Sequence, residues 1–485
     1  VADENMRRRR RTRGTPPLRE AIRPSIWEID PGLNPYLVRA RAPRIARAIT
    51  AKLKAGTYTP GRPAGFTVPK PGGGERIVSM FPIADEVISS RLFVSLRKKN
   101  TARLSSRAYA YRSDLTPHDA IAYMRAEFSR EHRLFIAEYD FSKFFDHIRH
   151  DHLVQTIDRI GVMATPIELR LIEGFLRTPA PFLDARDRAL DAAPREVGVP
   201  QGTSISLFLA NLAAADLDRA LERLGVGFAR YADDTMIWSP NYEKITQAVE
   251  ALHTASDAIG PQINAAKSPG VSLLVLPESS EAEMRSTTQV EFLGHAIGIR
   301  TTSMRSRSVH RIKRHILELI HSNLIREPVN RSQDPSRLAG GIDRDYVVLV
   351  YQLRRYLYGT LSETSIRRYQ SGTVPKTSLR GVMAYFPLVD DGEQLRGLDG
   401  WLSKTVWLAL KKRCRLLAGE GVPCPPPHGL GRPDLFGFRP EIHPNTVLDL
   451  RLPSFVRAGA VVRKAIAAHG LDVISDAHPL YLYED

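Results

Sequence analysis

Three short stretches of the chain alternate or run apolar in the way strands do. Phe66-Thr-Val-Pro-Lys70 and Glu75-Arg-Ile-Val-Ser-Met80 flank Pro71 and three glycines, which predicts a β-hairpin. Arg133–Tyr139 is an apolar run of strand length that ends at Asp140, so the carboxyl end of that strand presents a carboxylate. Residues 227–238 read as strand, two-residue turn, strand, with Asp233 and Asp234 in the turn. Elsewhere the apolar spacing is helical. It predicts helices over 83–96, over Pro117–Phe128, and over one long segment, 205–224, carrying Ile205, Phe208, Leu212, Leu217, Leu221 and Leu224. Residues 26–54 repeat more loosely, as short helices would. After Gly294 the chain turns to Arg-, His- and Leu-rich helical segments as far as Leu417, a separate helical domain. Pro423, Pro425, Pro426 and Pro427 open a loop-rich last stretch that ends in a helix over 456–469.

Composition narrows the class. The 485 residues are 43% hydrophobic, enough for two or three domains with real cores. No run of some twenty uncharged apolar residues occurs, and the N-terminal arginines have no apolar segment behind them, so no membrane association and a cytoplasmic protein are expected. Cys414 and Cys424 are the two cysteines, and neither has zinc-type spacing to other ligands. Lys plus Arg number 69 against 53 Asp plus Glu, a formal charge of +16 that suits a polyanionic partner such as nucleic acid. The alternative is a basic surface kept for solubility. Arg7 to Arg11 with Arg13 form a basic arm that could lie along a phosphate backbone or equally be a flexible tail without function.

The chemistry concentrates at Arg230-Tyr-Ala-Asp-Asp-Thr-Met-Ile-Trp238. Aspartates are common in turns for their geometry alone. Here, however, Asp140, which opens Asp-Phe-Ser-Lys-Phe-Phe-Asp146, supplies a third carboxylate at the end of another strand. Three convergent carboxylates can hold two Mg²⁺ ions, with Mn²⁺ as an alternative, in a site that keeps waters and shares triphosphate oxygens. One ion would activate a primer 3′-hydroxyl and the other would steady the leaving pyrophosphate. His147, His150 and His152 lack the second ligand pair of a zinc site and read as an exposed helix start.

These residues resemble the reverse transcriptases, in which a Tyr-x-Asp-Asp hairpin and an upstream strand aspartate form the palm active site. The resemblance covers roughly residues 60–417. It implies an α+β right-hand polymerase fold, with fingers and palm built from an antiparallel sheet plus helices, and an all-helical thumb. The implied divisions are 1–55 (basic arm and helical extension), 56–300 (fingers and palm), 301–420 (thumb) and 421–485 (C-terminal extension). Phe141 joins Asp140, Asp233 and Asp234 in the implied metal set. Gly198-Val-Pro-Gln-Gly-Thr-Ser-Ile-Ser206 resembles the family's Pro-Gln-Gly segment, so Gln201 and Gly202 are expected at the nucleotide, although Leu207 replaces the proline that often follows.

The hairpin resembles the fingers, where Lys70 and Arg76 would grip the triphosphate. Asn264-Ala-Ala-Lys267-Ser268 resembles the segment whose lysine lies near the pyrophosphate, making Lys267 a candidate general acid. For all three cations the alternative is an ordinary solvated charge. Phe145 stands where the family sets an aromatic against the sugar's 2′ carbon, which would exclude ribonucleotides; a core aromatic is the competing reading. Ser106-Arg-Ala-Tyr-Ala-Tyr-Arg112 resembles the Tyr-Gly-Phe-Arg template segment with Ala110 for glycine, and Phe292-Leu-Gly294 resembles the primer grip. Arg112, Tyr231, Leu293 and Gly294 are therefore expected near template and primer, with an ordinary strand tyrosine of a half-buried sheet as the equal alternative for Tyr231.

Leu379-Arg-Gly-Val-Met-Ala-Tyr-Phe386, Leu398-Asp-Gly-Trp-Leu402 and Lys411-Lys-Arg-Cys-Arg415 resemble the thumb of group II intron-like enzymes, whose arginines would track a template-primer backbone. Among biological classes, the chain resembles the defence-associated bacterial reverse transcriptases. That implies an RNA template, a partner non-coding RNA, copied from deoxynucleoside triphosphates into cDNA. A group II intron-type maturase and a non-catalytic RNA-binding scaffold are the alternatives.

Overall fold

The computed structural model describes residues 25–474 except 70–73, 267, 279–283, 340, 423 and 444–445. The basic arm, Lys70 and Lys267 lie outside the described residues. The chain divides into two compact units. One comprises the residues up to Ala120 with Leu134–Leu273, and the other Ile121–Arg133 with the residues from Leu274 on.

The first unit carries the expected hairpin. β1 (Ala64–Pro69) pairs antiparallel with β2 (Glu75–Met80) from Ala64↔Met80 to Pro69↔Glu75. Its central sheet has the order β4-β5-β3-β6, with β3 at Arg133–Tyr139, β4 at Gly227–Tyr231, β5 at Asp234–Ser239 and β6 at Gly270–Val275. β3 and β4 both run antiparallel to β5. Helices α1 (Pro35–Ala55), α2 (Ile83–Asn100), α3 (Pro117–Phe128, most of which belongs to the second unit), α4 (His150–Ile160) and α5 (Pro166–Leu176) precede, in chain order, the helix at the heart of this unit. That helix, α6 (Ser204–Ala213), buries eight residues in a row from Ile205 apart from Leu207, as a helix packed on all sides must.

The expected single helix over 205–224 is two. Ala214 leaves helical geometry at φ −93° and ψ 3°, and α7 (Ala215–Leu224) starts afresh. The break turns α7 so that Leu217, Asp218 and Leu221 are buried together. α8 (Tyr242–Ile259) completes the unit, burying Ile245, Ala248 and Leu252 in the same core as Phe208, Leu209, Phe228 and Ile237. His152, expected at an exposed helix start, is buried instead, and its Nε2 donates to the Ala213 carbonyl at 2.8 Å.

In the second unit, β7 (Val290–Phe292), β8 (His295–Ile297) and β9 (Thr302–Met304) form an antiparallel meander. Long helices follow: α9 (Ser306–Ile320), α10 (Arg344–Tyr358), α11 (Glu363–Gln370), α12 (Gly392–Gly419) and α13 (Phe455–His469). Ile312, Ile316 and Ile320 recur every four residues along α9 and meet Leu349, Leu353 and Leu357 of α10, Leu402, Val406 and Leu410 of α12, and Phe455, Val461 and Val462 of α13 in one core. Arg413 is fully buried within the basic run 411–415. It donates to Asp343 at 2.7 Å and Asp345 at 2.7 Å, so it braces this core rather than facing solvent. Among the described residues no helix is long and apolar enough to cross a membrane.

Candidate active site

Strand register brings Asp140 and Asp234 to the same end of the sheet. β3 and β5 pair from Phe135↔Ser239 to Tyr139↔Thr235, and one residue beyond that last pair lie Asp140 and Asp234. Asp234 also pairs with Tyr231 across β4 and β5. Directly opposed residues of antiparallel strands point to the same face, about 5 Å apart. Asp140, Asp234 and Tyr231 therefore share one face at one end of the sheet. The turn between β4 and β5 is Ala232-Asp233, not the two aspartates, because Asp234 already opens β5. Asp233 thus lies in the turn, next to Asp234 in the chain. Ala232 adopts φ 59°, the left-handed region a tight hairpin demands of a turn residue.

Asp140 is fastened from a second segment. Its backbone N–H donates to Ser268 Oγ at 3.1 Å, its carbonyl accepts the Asn264 N–H at 2.8 Å, and its Oδ2 accepts from Asn264 Nδ2 at 3.1 Å. Phe141 pairs with Ile263, and the Ser142 N–H donates to the Gln262 carbonyl. The two ends of the 264–268 motif thus clamp one of the acidic residues. Phe141 buries its ring, which leaves its backbone carbonyl as the group that could serve an ion.

Among the described residues, no three His, Cys, Asp or Glu side chains form a ready-made cation cage. Two carboxylates on one sheet face and a third on the adjoining turn are hard oxygen donors, and that set fits a magnesium site completed by water and substrate phosphates.

The Pro-Gln-Gly loop is held against both the hairpin and the segment after Asp140. The Gln201 carbonyl accepts the Ser79 N–H at 2.6 Å, and Gln201 Nε2 donates to Asp146 Oδ1 at 2.8 Å. The Val199 N–H donates to the Phe145 carbonyl, and the Gly198 N–H to that of Ile148. Gly202 has φ +110°, and a Cβ there would stand 2.4 Å from the Ser79 carbonyl oxygen, so the close approach of loop to β2 requires glycine. Thr203 and Ile205 bond Ser89 on α2, which anchors the start of α6. Phe145 is half-buried, with its ring edge-on to Phe144 at 6.1 Å.

Arg76 is exposed on β2, opposite Val68. Tyr111 feels the charges of both Arg76 and Asp233. Burial first, and then the nearby Asp233 charge, push the Tyr111 phenol above its usual range, while Arg230 and Arg76 pull the other way. Tyr111 also meets the Tyr231 ring at 6.4 Å. Arg112 is turned inward, donating to both oxygens of Asp114 and to the Ser105 carbonyl. Leu293 and Gly294 belong to the second unit. At φ 46° and 78° they form the two-residue turn between β7 and β8, with Leu293 buried.

Sequence reading missed Arg230 as more than a neighbour of the motif. It is fully buried, and all five of its donors are used: Nε and Nη2 on Asp218, Nη1 on Asn211 Oδ1 and the Ala232 carbonyl, and Nη2 again on the Asn211 carbonyl. The available signal was an arginine at the fourth of five positions in an otherwise uncharged strand.

Comparison with known proteins agrees with the motif reading. Residues 68–297 match the family model described as reverse transcriptase (RNA-dependent DNA polymerase). Solved structures similar to this chain include telomerase from Candida albicans in complex with a fragment of telomeric RNA, at 12% identity and TM-score 0.38, covering 75% of this chain and 62% of that one. Telomerase from Candida tropicalis in complex with such a fragment gives 12% and 0.39, covering 74% and 63%. The apo Candida tropicalis enzyme truncated of its C-terminal domain gives 11% and 0.37, covering 50% and 55%. The chain thus spans between about half and two thirds of each of these chains. The aspartates at one end of the sheet, the glycine-dependent loop and the family match together show that residues 68–297 of this chain are similar to the reverse transcriptase (RNA-dependent DNA polymerase) domain.

Proposed function

We propose that the protein extends a DNA strand on an RNA template by two-metal nucleotidyl transfer at Asp140, Asp233 and Asp234. The observation that carries this is the register bringing Asp140 to the end of the sheet where Asp234 begins. Asp140, Asp233 and Asp234 would hold two Mg²⁺ ions, which would supply Lewis acidity for the attacking hydroxyl and the departing pyrophosphate. The chain's own residues do the positioning. Asn264 and Ser268 fix Asp140. Arg76, with Lys70, binds triphosphate oxygens, and Lys267 delivers a proton to the pyrophosphate. Gln201 and Gly202 line the nucleotide, Phe145 closes the space a 2′-hydroxyl would need, and Arg112, Tyr231, Leu293 and Gly294 serve template and primer. These roles rest on motif resemblance and on the placement of the described residues.

The template is a partner non-coding RNA and the setting is anti-phage defence in the cytoplasm, a reading supported by motif resemblance. Primer extension on an RNA template with deoxynucleotides tests the activity. Wild type extends the primer, whereas Asp233→Ala and Asp234→Ala fall to background. Equal extension by all three removes the catalytic reading and leaves an RNA-binding scaffold. Sequencing of co-purified RNA tests the setting: a structured RNA encoded beside the gene supports defence, and intron RNA contradicts it in favour of a maturase.

A further inference from the structure

The buried Arg230 guanidinium lies on the face of β4 opposite to Tyr231 and Asp234, because neighbouring residues of a strand point to opposite sides. It does not face substrate. We propose that Arg230 is a positioning residue which, with Asp218 and Asn211, sets the pitch of the catalytic turn and couples it to the 107–111 segment. The proposal rests on the catalytic reading above and extends it to residues behind the site.

Three sets of contacts carry it. First, Arg230 Nη1 donates to the Ala232 carbonyl at 3.0 Å, inside the turn whose next residue is Asp233. Ala232 holds φ 59°, a conformation alanine disfavours, so an external bond to its carbonyl is what keeps the turn in this form. Second, the guanidinium is itself immobile: a two-pronged ion pair to Asp218, at 2.7 and 2.6 Å, ties it to α7. Third, the same residue and its partner hold the neighbouring segment. The Arg230 N–H donates to the Arg107 carbonyl, the Tyr109 N–H donates to the Arg230 carbonyl, and Asn211 Nδ2 donates to the Ala110 carbonyl at 2.6 Å. Tyr111, which follows Ala110, meets Tyr231 on the catalytic face. A shift of the 107–111 segment is therefore felt at Ala232, and hence at Asp233.

Removing the bond to Ala232 should disturb the carboxylates without removing them. In Arg230→Lys the ammonium keeps its charge beside Asp218 but cannot also reach Ala232. The expected result is a fall in kcat of about 100-fold, the scale of a misaligned reacting group, with template-primer Kd changed less than about threefold. Amide exchange at 232–234 should speed up, and Mn²⁺ titrated onto the protein should bind more weakly.

Arg230→Lys with Ala232→Gly provides the rescue, because glycine adopts this φ without help and should restore about tenfold of the lost kcat. Should Arg230→Lys fail to fold, Asn211→Ser, which leaves the ion pair intact, should show the same shifts at smaller size. Unchanged exchange at 232–234 in a folded variant overturns the proposal, and so does a loss confined to template-primer binding or a glycine that rescues nothing. Exchange and Mn²⁺ binding are read without turnover, so an inactive wild type would defeat the catalytic reading while still testing the clamp.

Discussion

At Phe145 the carbonyl accepts the Val199 N–H, while the half-buried ring packs edge-on against Phe144. A half-exposed ring on a tethered backbone suits a steric filter on the sugar. Phe145→Ala should raise the ratio of ribonucleotide to deoxynucleotide incorporation by about tenfold or more, measured as kcat/KM for each. An unchanged ratio would assign the ring to core packing. Single residues also show the limits of reading a pattern. The strand ending before Asp140 and the hairpin around Asp233 and Asp234 were legible because strand ends and turns have local signatures. Arg230 was not, since its meaning depends on Asp218 and Asn211, which only the folded chain brings beneath β4. Arg413 had a signal that the basic run concealed. It lies seven residues after Val406 and four before Leu417, on the buried stripe of α12.

Among the elements, β3, the 64–80 hairpin and α3 fell where the sequence placed them, because each has a turn or a clear period at its ends. The helix over 205–224 did not. An unbroken apolar period hides the turn at Ala214, which tertiary packing imposes. Helix α5 offers an electrostatic test. Its first turn carries a capping box in which Thr165 and Glu168 exchange bonds. Burial alone would raise the Glu168 carboxyl, but the Lys99 ammonium, the Thr165 N–H and hydroxyl and the Ser95 hydroxyl together lower it from 4.5 to about 2.

A carboxyl held low in the folded state favours folding above its unfolded value. That contribution fades as pH falls from about 4.5 through about 2. Urea midpoints should therefore separate wild type from Glu168→Gln at pH 6 and draw together towards pH 2, while a gap independent of pH would contradict the assignment.

For the whole molecule, the formal charge of +16 bears on binding. Neutralising several phosphates releases counter-ions, so template-primer affinity should fall by about 100-fold or more between 50 and 200 mM salt. A flat dependence would mean that the excess charge serves solubility instead. The same-face placement of Asp140, Asp234 and Tyr231, with Asp233 on the adjoining turn, is the feature on which the functional account turns. Its most direct test is anomalous diffraction from crystals of the protein with RNA template, DNA primer, incoming nucleotide and Mn²⁺. The account predicts two manganese peaks bridging Asp140, the 233–234 pair and the triphosphate. Manganese bound elsewhere, or an Asp140 carboxylate turned away from both ions, would contradict it.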